Sequence, residues 1–265
     1  MIENVDLSLQ QFSGAWRLMC DGASDKRFAA ADGIEYIFTG IPIGFFNVAL
    51  LTERQGLSGA ALAACGRAAC AWAADKDVPW MLVVTREALT SGVDAASRLH
   101  GCGLSPMMAL TAMVADHVDP PRVPEGLQLT VPQDDAGCSA LVDVNAVAYG
   151  MDLEASKSLL GTRAFWADHA PVLGLADRSP ASCAGVMMVD GYRYVALVAT
   201  DPGHQRRGYA EAAMRRALEV AASRYGEHPS VLHATDAGRP IYQRMGYTPI
   251  ATHTVFMEDK YLGGH

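Results

Sequence analysis

In the segment Val198-Ala-Thr-Asp-Pro-Gly-His-Gln-Arg-Arg-Gly-Tyr-Ala210 an apolar run ends in a Pro202-Gly203 turn. Gln205-x-x-Gly208-x-Ala210 then opens a stretch whose apolar residues Ala213, Ala217, Val220 and Ala221 recur at helical spacing. A strand, a loop of small residues and a helix N-terminus together bind anions. The first helical turn has unpaired backbone N–H groups, and the helix dipole adds partial positive charge there. Gly208 and Ala210 lack the bulk that would hold a phosphate away, and Gln205, Arg206 and Arg207 surround the site with donors. The chemistry implied is the grip of a phosphorylated ligand. Neither Gly-x-x-x-x-Gly-Lys-Ser/Thr nor Gly-x-Gly-x-x-Gly occurs, so neither a P-loop nor a dinucleotide fold is supported.

Further along, Val231 to Thr235 reads as a short buried strand. Gly238 to Gly246 reads as a helix with Pro240 in its first turn and Gly246 as C-cap, and Tyr247-Thr-Pro-Ile begins another strand. Gln-x-x-Gly-x-Ala after a strand, then Thr235 seven residues before Tyr242 in Tyr-x-x-x-Gly-Tyr, resembles the GNAT superfamily of N-acyltransferases. The first part is similar to that superfamily's acyl-CoA pyrophosphate loop and the second to its C-terminal motif.

The resemblance implies acetyl-CoA as co-substrate, an amine acceptor (a small molecule or a peptide), direct attack and no metal. It implies that Val198, Ala199 and Thr200 pair with the pantetheine arm, a backbone N–H near Val198 serving as oxyanion donor. Gln205, Arg206, Arg207, Gly208, Tyr209 and Ala210 would hold the pyrophosphate. Thr235 stands where the family often has Asn at the cofactor, and Tyr242 matches the usual general acid. A phenol with ordinary pKa near 10 suits a thiolate of comparable basicity. His233, on a strand and titrating near neutrality, is a candidate base, although a lone strand histidine is more often structural. A non-catalytic acyl-CoA-binding or regulatory module is the alternative reading.

Composition narrows the partners. The 265 residues are half apolar, enough for a sizeable core, and the formal net charge is −8. That balance disfavours sequence-independent nucleic-acid binding, including tRNA. The start, Met1 to Asp6, has neither a basic nor an apolar region of a signal peptide, and the Gly59–Ala74 stretch is too short to span a bilayer. A cytoplasmic protein with no membrane partner is expected. Six cysteines show no CxxC pair and no ligand spacing with histidine, so free thiols and no metal site are expected.

Asp119-Pro-Pro-Arg-Val-Pro-Glu-Gly126 forbids regular structure and marks a linker between 1–118 and 127–265. After it come helical stretches Asp134–Tyr149 and Leu153–His169, then strands Val172–Leu175, Cys183–Val189 and Arg193–Thr200. An Asp190-Gly191 hairpin joins the last two, and a final strand covers Pro249–Met257. The first part repeats the plan: strand Phe46–Leu51, helix Leu57–Ala74, strand Trp80–Thr85, helix Val93–Gly101, and Gly103-Leu-Ser-Pro-Met107 echoing Gly246-Tyr-Thr-Pro-Ile250. The expected fold is α/β (α+β), two GNAT-like halves, each a mixed, largely antiparallel sheet flanked by helices. The layout resembles tandem-GNAT proteins in which the N-terminal half has lost cofactor binding. Here Arg54-x-x-Leu57 puts a leucine where glycine is needed, and Glu53 would repel phosphate.

Overall fold

The computed structural model describes residues 2–262. The first part runs α1 (Ile2–Cys20), β1 (Arg27–Ala31), β2 (Ile34–Phe38), β3 (Asn47–Leu51), α2 (Gly59–Ala73), β4 (Met81–Thr85), α3 (Ala95–His100) and β5 (Leu104–Ala115). The second continues with β6 (Leu127–Thr130), α4 (Asp135–Tyr149), α5 (Leu153–Leu160), β7 (Ala170–Ala176), β8 (Ser179–Val189), β9 (Tyr192–Thr200), α6 (Tyr209–Tyr225), β10 (Ser230–Thr235), α7 (Arg239–Arg244), β11 (Thr248–Glu258) and α8 (Asp259–Leu262). This is a mixed α/β fold with a largely antiparallel central sheet flanked by helices, the class expected above.

The chain forms two compact units. One holds residues 1–113, 233–240 and 249–265; the other holds 114–232 and 241–248. A cut at 119–126 would have assigned 233–240 and 249–265 to the C-terminal half. Both fold with the first unit, the latter because β11 pairs antiparallel with β4, His253 opposite Thr85 and Met257 opposite Met81. Val255 and Phe256 are thereby fully buried.

Within the first unit the strand order is β1-β2-β3-β4-β11-β5. β3 and β4 are parallel and joined through α2, as a parallel pair requires a crossover. The core gathers Ile34, Tyr36, Phe38, Leu62, Trp80, Leu82 and Phe256. The sequence reading gave no helix at the N-terminus, yet α1 buries Val5, Leu9, Phe12, Trp16 and Met19, one apolar stripe at helical spacing.

In the second unit the order is β10-β9-β8-β7-β6. β6 to β9 form an antiparallel run, and β9 meets β10 in parallel. The hairpin turns at Asp190 (φ 45°) and Gly191 (φ 80°), the left-handed pair a two-residue turn demands. α6 and α4 both pack on β7, β8 and β9. The helical run expected over Leu153–His169 is broken. α5 stops at Leu160, whose carbonyl accepts a hydrogen bond from the Trp166 indole N–H at 2.7 Å, and Phe165–Asp168 forms only a 3-10 turn.

Candidate active site

The site grows from an irregularity in β9. Opposite β8 the register runs Gly185↔Ala196, then Cys183↔Ala199, so Leu197 and Val198 together face Ala184. This is a β-bulge. Leu197 takes φ 54°, a conformation that costs a branched, non-glycine residue about 1–3 kcal/mol and persists only where its surroundings impose it. Two side chains hold the bulge. The Cys183 thiol donates to the Leu197 carbonyl (3.1 Å), and the Tyr149 hydroxyl donates to the Val198 carbonyl (3.3 Å). Gly185 sits beside it because a Cβ there would lie 2.6 Å from the Trp166 ring. β9 pairs with β10 only through Arg193 and Tyr194, although β9 runs on to Thr200.

Past Thr200 the loop is ordered by Asp201. Its carboxylate accepts from the Gly203 N–H (2.9 Å) and meets His204 Nδ1 at 3.2 Å, while its own N–H donates to the Ala181 carbonyl. Arg206 (φ 64°) and Gly208 (φ 78°) are both left-handed. Alternating hands of this kind turn successive N–H groups toward one point, the geometry of an anion nest. Gly208 is the N-cap of α6, and among the described residues no side chain caps that end. Its α-carbon is open, the nearest atom to a built Cβ being Pro124 Cγ at 3.7 Å. Glu211, which would oppose an anion, is neutralised by Arg215 at 2.9 Å. Gln205, Arg206 and Arg207 are exposed. Tyr209 is buried against Ala181 and Ala212 and anchors the helix start.

Tyr242 lies on α7, whose end is closed by the Tyr247 N–H donating to the Tyr242 carbonyl at 3.0 Å. Burial pushes its phenol above the ordinary value, and the nearby phenols of Tyr149 and Tyr247 push it the same way. Tyr149 therefore bonds the bulge and acts electrostatically on Tyr242. Tyr247 itself is core, its hydroxyl 2.6 Å from Ser230. The second unit thus assembles Val198, Ala199, Thr200, residues Gln205 through Ala210, and Tyr242. Tyr149 is a member that sequence reasoning missed. It is 49 positions from its partner and marked by no motif.

His233 and Thr235 belong to the first unit. The Thr235 hydroxyl accepts from the Gly238 N–H at 3.3 Å. His233 joins a buried polar network. Ser8 Oγ lies 2.6 Å from His253 Nε2 and 3.2 Å from His233 Nε2, and His253 Nδ1 meets Thr85 Oγ1 at 3.0 Å. The Phe12 ring packs edge-on against His233. Burial, then the neighbouring His253, holds His233 well below its ordinary pKa, and burial lowers His253 to about 4. In the same unit, the helix that follows β3 starts differently from α6. Ser58 caps α2 through the Ala61 N–H, and Arg98 covers Gly59, where a Cβ would lie 2.7 Å from Nε.

With this geometry in view, comparison with known proteins is direct. Residues 191–250 match a family model of the acetyltransferase (GNAT) domain. That span holds the bulge, the anion nest and Tyr242. A search of curated proteins found no match. Among solved structures, a GCN5-related N-acetyltransferase from Kribbella flavida is 22% identical, covering 98% of this chain and 96% of that one, with a TM-score of 0.71. A GCN5-related N-acetyltransferase from Sphaerobacter thermophilus is 14% identical, covering 85% and 76%, at 0.61. A tandem GNAT protein from the clavulanic acid biosynthesis pathway is 13% identical, covering 96% and 94%, at 0.55. At these identities the likeness is one of fold. Among the described residues no group of three or more His, Cys, Asp or Glu could hold a metal ion, all six cysteines are free, and no helix is long and apolar enough to cross a membrane.

Proposed function

We propose that the protein transfers the acetyl group of acetyl-CoA to an amine by direct attack, with Tyr242 as general acid. The observation that carries this is a strained bulge at Leu197 followed, within one loop, by the uncapped N-terminus of α6. The spacing suits a ligand whose diphosphate rests on the helix start while its acyl end reaches the strand. The backbone N–H groups of the Arg206–Ala210 turn receive the diphosphate, and the Val198 N–H receives the thioester oxygen. As the amine nitrogen bonds to the carbonyl carbon, negative charge builds on that oxygen. A preorganised donor there is worth about 3–4 kcal/mol. On collapse the C–S bond breaks, its electron pair goes to sulfur, and Tyr242 supplies the proton. The raised pKa of Tyr242 keeps the phenol protonated until it is needed. The extra proton on the new amide nitrogen passes to solvent. No step is routed through His233, because an imidazole held so far below its ordinary pKa is a feeble base. In the first half, Ser58 and Arg98 take the place a diphosphate would need at α2, which supports a tandem arrangement with one working half.

The test is release of free thiol from acetyl-CoA across a panel of primary amines and short peptides. Turnover on at least one amine, reduced about a hundredfold in Tyr242→Phe, is expected for a lost acid catalyst. Tight acetyl-CoA binding with no turnover on any amine would overturn catalysis and leave a non-catalytic acyl-CoA-binding module.

A further inference from the structure

We propose that Tyr149 is a positioning residue for the oxyanion donor: its hydroxyl holds the Val198 carbonyl while the Cys183 thiol holds the Leu197 carbonyl, so that Val198 is fixed at both of its peptides and its N–H faces the thioester. This rests on the acetyl-CoA reading above. In a regular antiparallel pair each strand residue is held by its partner's N–H and C=O. A bulge breaks that pattern and leaves the extra residue's groups to find other partners. Here both carbonyls of the bulge accept from side chains, Leu197 from Cys183 and Val198 from Tyr149. The two donors come from different elements, β8 and the C-terminal turn of α4. Pinning the carbonyls fixes the peptide planes on both sides of Val198, the Leu197 carbonyl sharing its plane with the Val198 N–H and the Val198 carbonyl sharing its plane with the Ala199 N–H. The Tyr149 ring is half exposed, and burial lifts its phenol above the ordinary value. Gly150, left-handed at φ 64°, ends α4 directly after Tyr149 and sets where the ring leaves the helix. The same phenol also raises the pKa of Tyr242 electrostatically.

The readout needs no knowledge of the acceptor. Acetyl-CoA carrying 13C at the thioester carbonyl is bound to wild type and to Tyr149→Phe, and the carbonyl stretch is read by isotope-difference infrared spectroscopy. Affinity is read by calorimetry. A polarising donor lowers the stretch. Wild type should show a lowered frequency relative to free acetyl-CoA. Tyr149→Phe should shift part of the way back toward the free value, with affinity changed by less than about threefold, since the diphosphate contacts are untouched. Cys183→Ser, which keeps a donor toward Leu197, should retain the lowered stretch. A Tyr149→Phe spectrum identical to wild type would overturn the positioning role. Failure of wild type to bind acetyl-CoA at all would instead overturn the functional reading on which it stands. Tyr149→Phe preserves a half-exposed ring, so folding is not at stake, and a melting curve confirms it.

Discussion

At the scale of single residues, the account turns on conformations that side-chain identity either announces or conceals. Gly208 stood out in the sequence for its lack of bulk, and the structure gives it φ 78°, a left-handed helix start that favours glycine. Leu197 was not. A leucine at φ 54° carries no mark of its strain, and the bulge emerges only once β8 is laid against β9. Tyr149 was hidden for the same reason, its partner being set by tertiary packing. Tyr242 was singled out from its spacing to Gly246 and Tyr247, and its role as acid is a proposal. Its raised pKa has a kinetic consequence. A general acid is active while protonated, so raising its pKa moves the alkaline loss of activity upward. Turnover of an amine corrected for its own ionisation should show no alkaline fall before about pH 10, the ordinary phenol value. A pH–rate profile over pH 7–10 checks this, and a fall centred near pH 8 would remove Tyr242 from the role.

At the scale of elements, β11 and α1 share a buried polar network that sequence reading did not assemble. His233 was visible on its strand, but the network it joins, Ser8, Thr85 and His253, lies on three other elements. Ser8 serves both imidazoles. Removing its hydroxyl in Ser8→Ala leaves buried ring nitrogens without that partner, at a cost of about 1–3 kcal/mol measurable by urea denaturation. The network also sets a pH dependence. His253 titrates at about 4 when folded and near 6.5 when unfolded. Above about pH 6.5 neither state is protonated and nothing is lost. As pH falls from about 6.5 to 4 the unfolded chain takes up a proton that the folded chain refuses, so stability falls across that window. The size is about 3 kcal/mol for His253, with His233 adding in the same direction. Thermal melting between pH 7.5 and 4.5 should fall accordingly, and a flat profile would contradict neutral burial of these rings.

At the scale of the whole molecule, strand membership departs from sequence order. The Pro-rich stretch at 119–126 was the obvious place to cut, and its backbone does run irregularly between β5 and β6. Yet the unit that contains α1 to β4 also needs β11, which pairs with β4 and brings Phe256 into its core. No local pattern reveals which partner a terminal strand will choose, since an alternating strand satisfies any apolar face offered to it. The fragments 1–118 and 127–265 should therefore each fail to give a cooperative melt when expressed alone. Fragment 1–118 lacks β11, and 127–265 leaves Val255 and Phe256 uncovered. Co-expression should restore a single transition. Independent cooperative folding of 127–265 would contradict the shared strand.

The central claim is that the backbone at the start of α6 grips the diphosphate of acetyl-CoA, and titration calorimetry with Gly208→Glu tests it most directly. The substitution forces a side chain into a left-handed position and sets a carboxylate against the diphosphate. Wild type should bind one acetyl-CoA per chain, and the variant, still folded by circular dichroism, should bind at least about thirtyfold more weakly. Equal affinity in the two proteins, or no binding by wild type, would contradict the account.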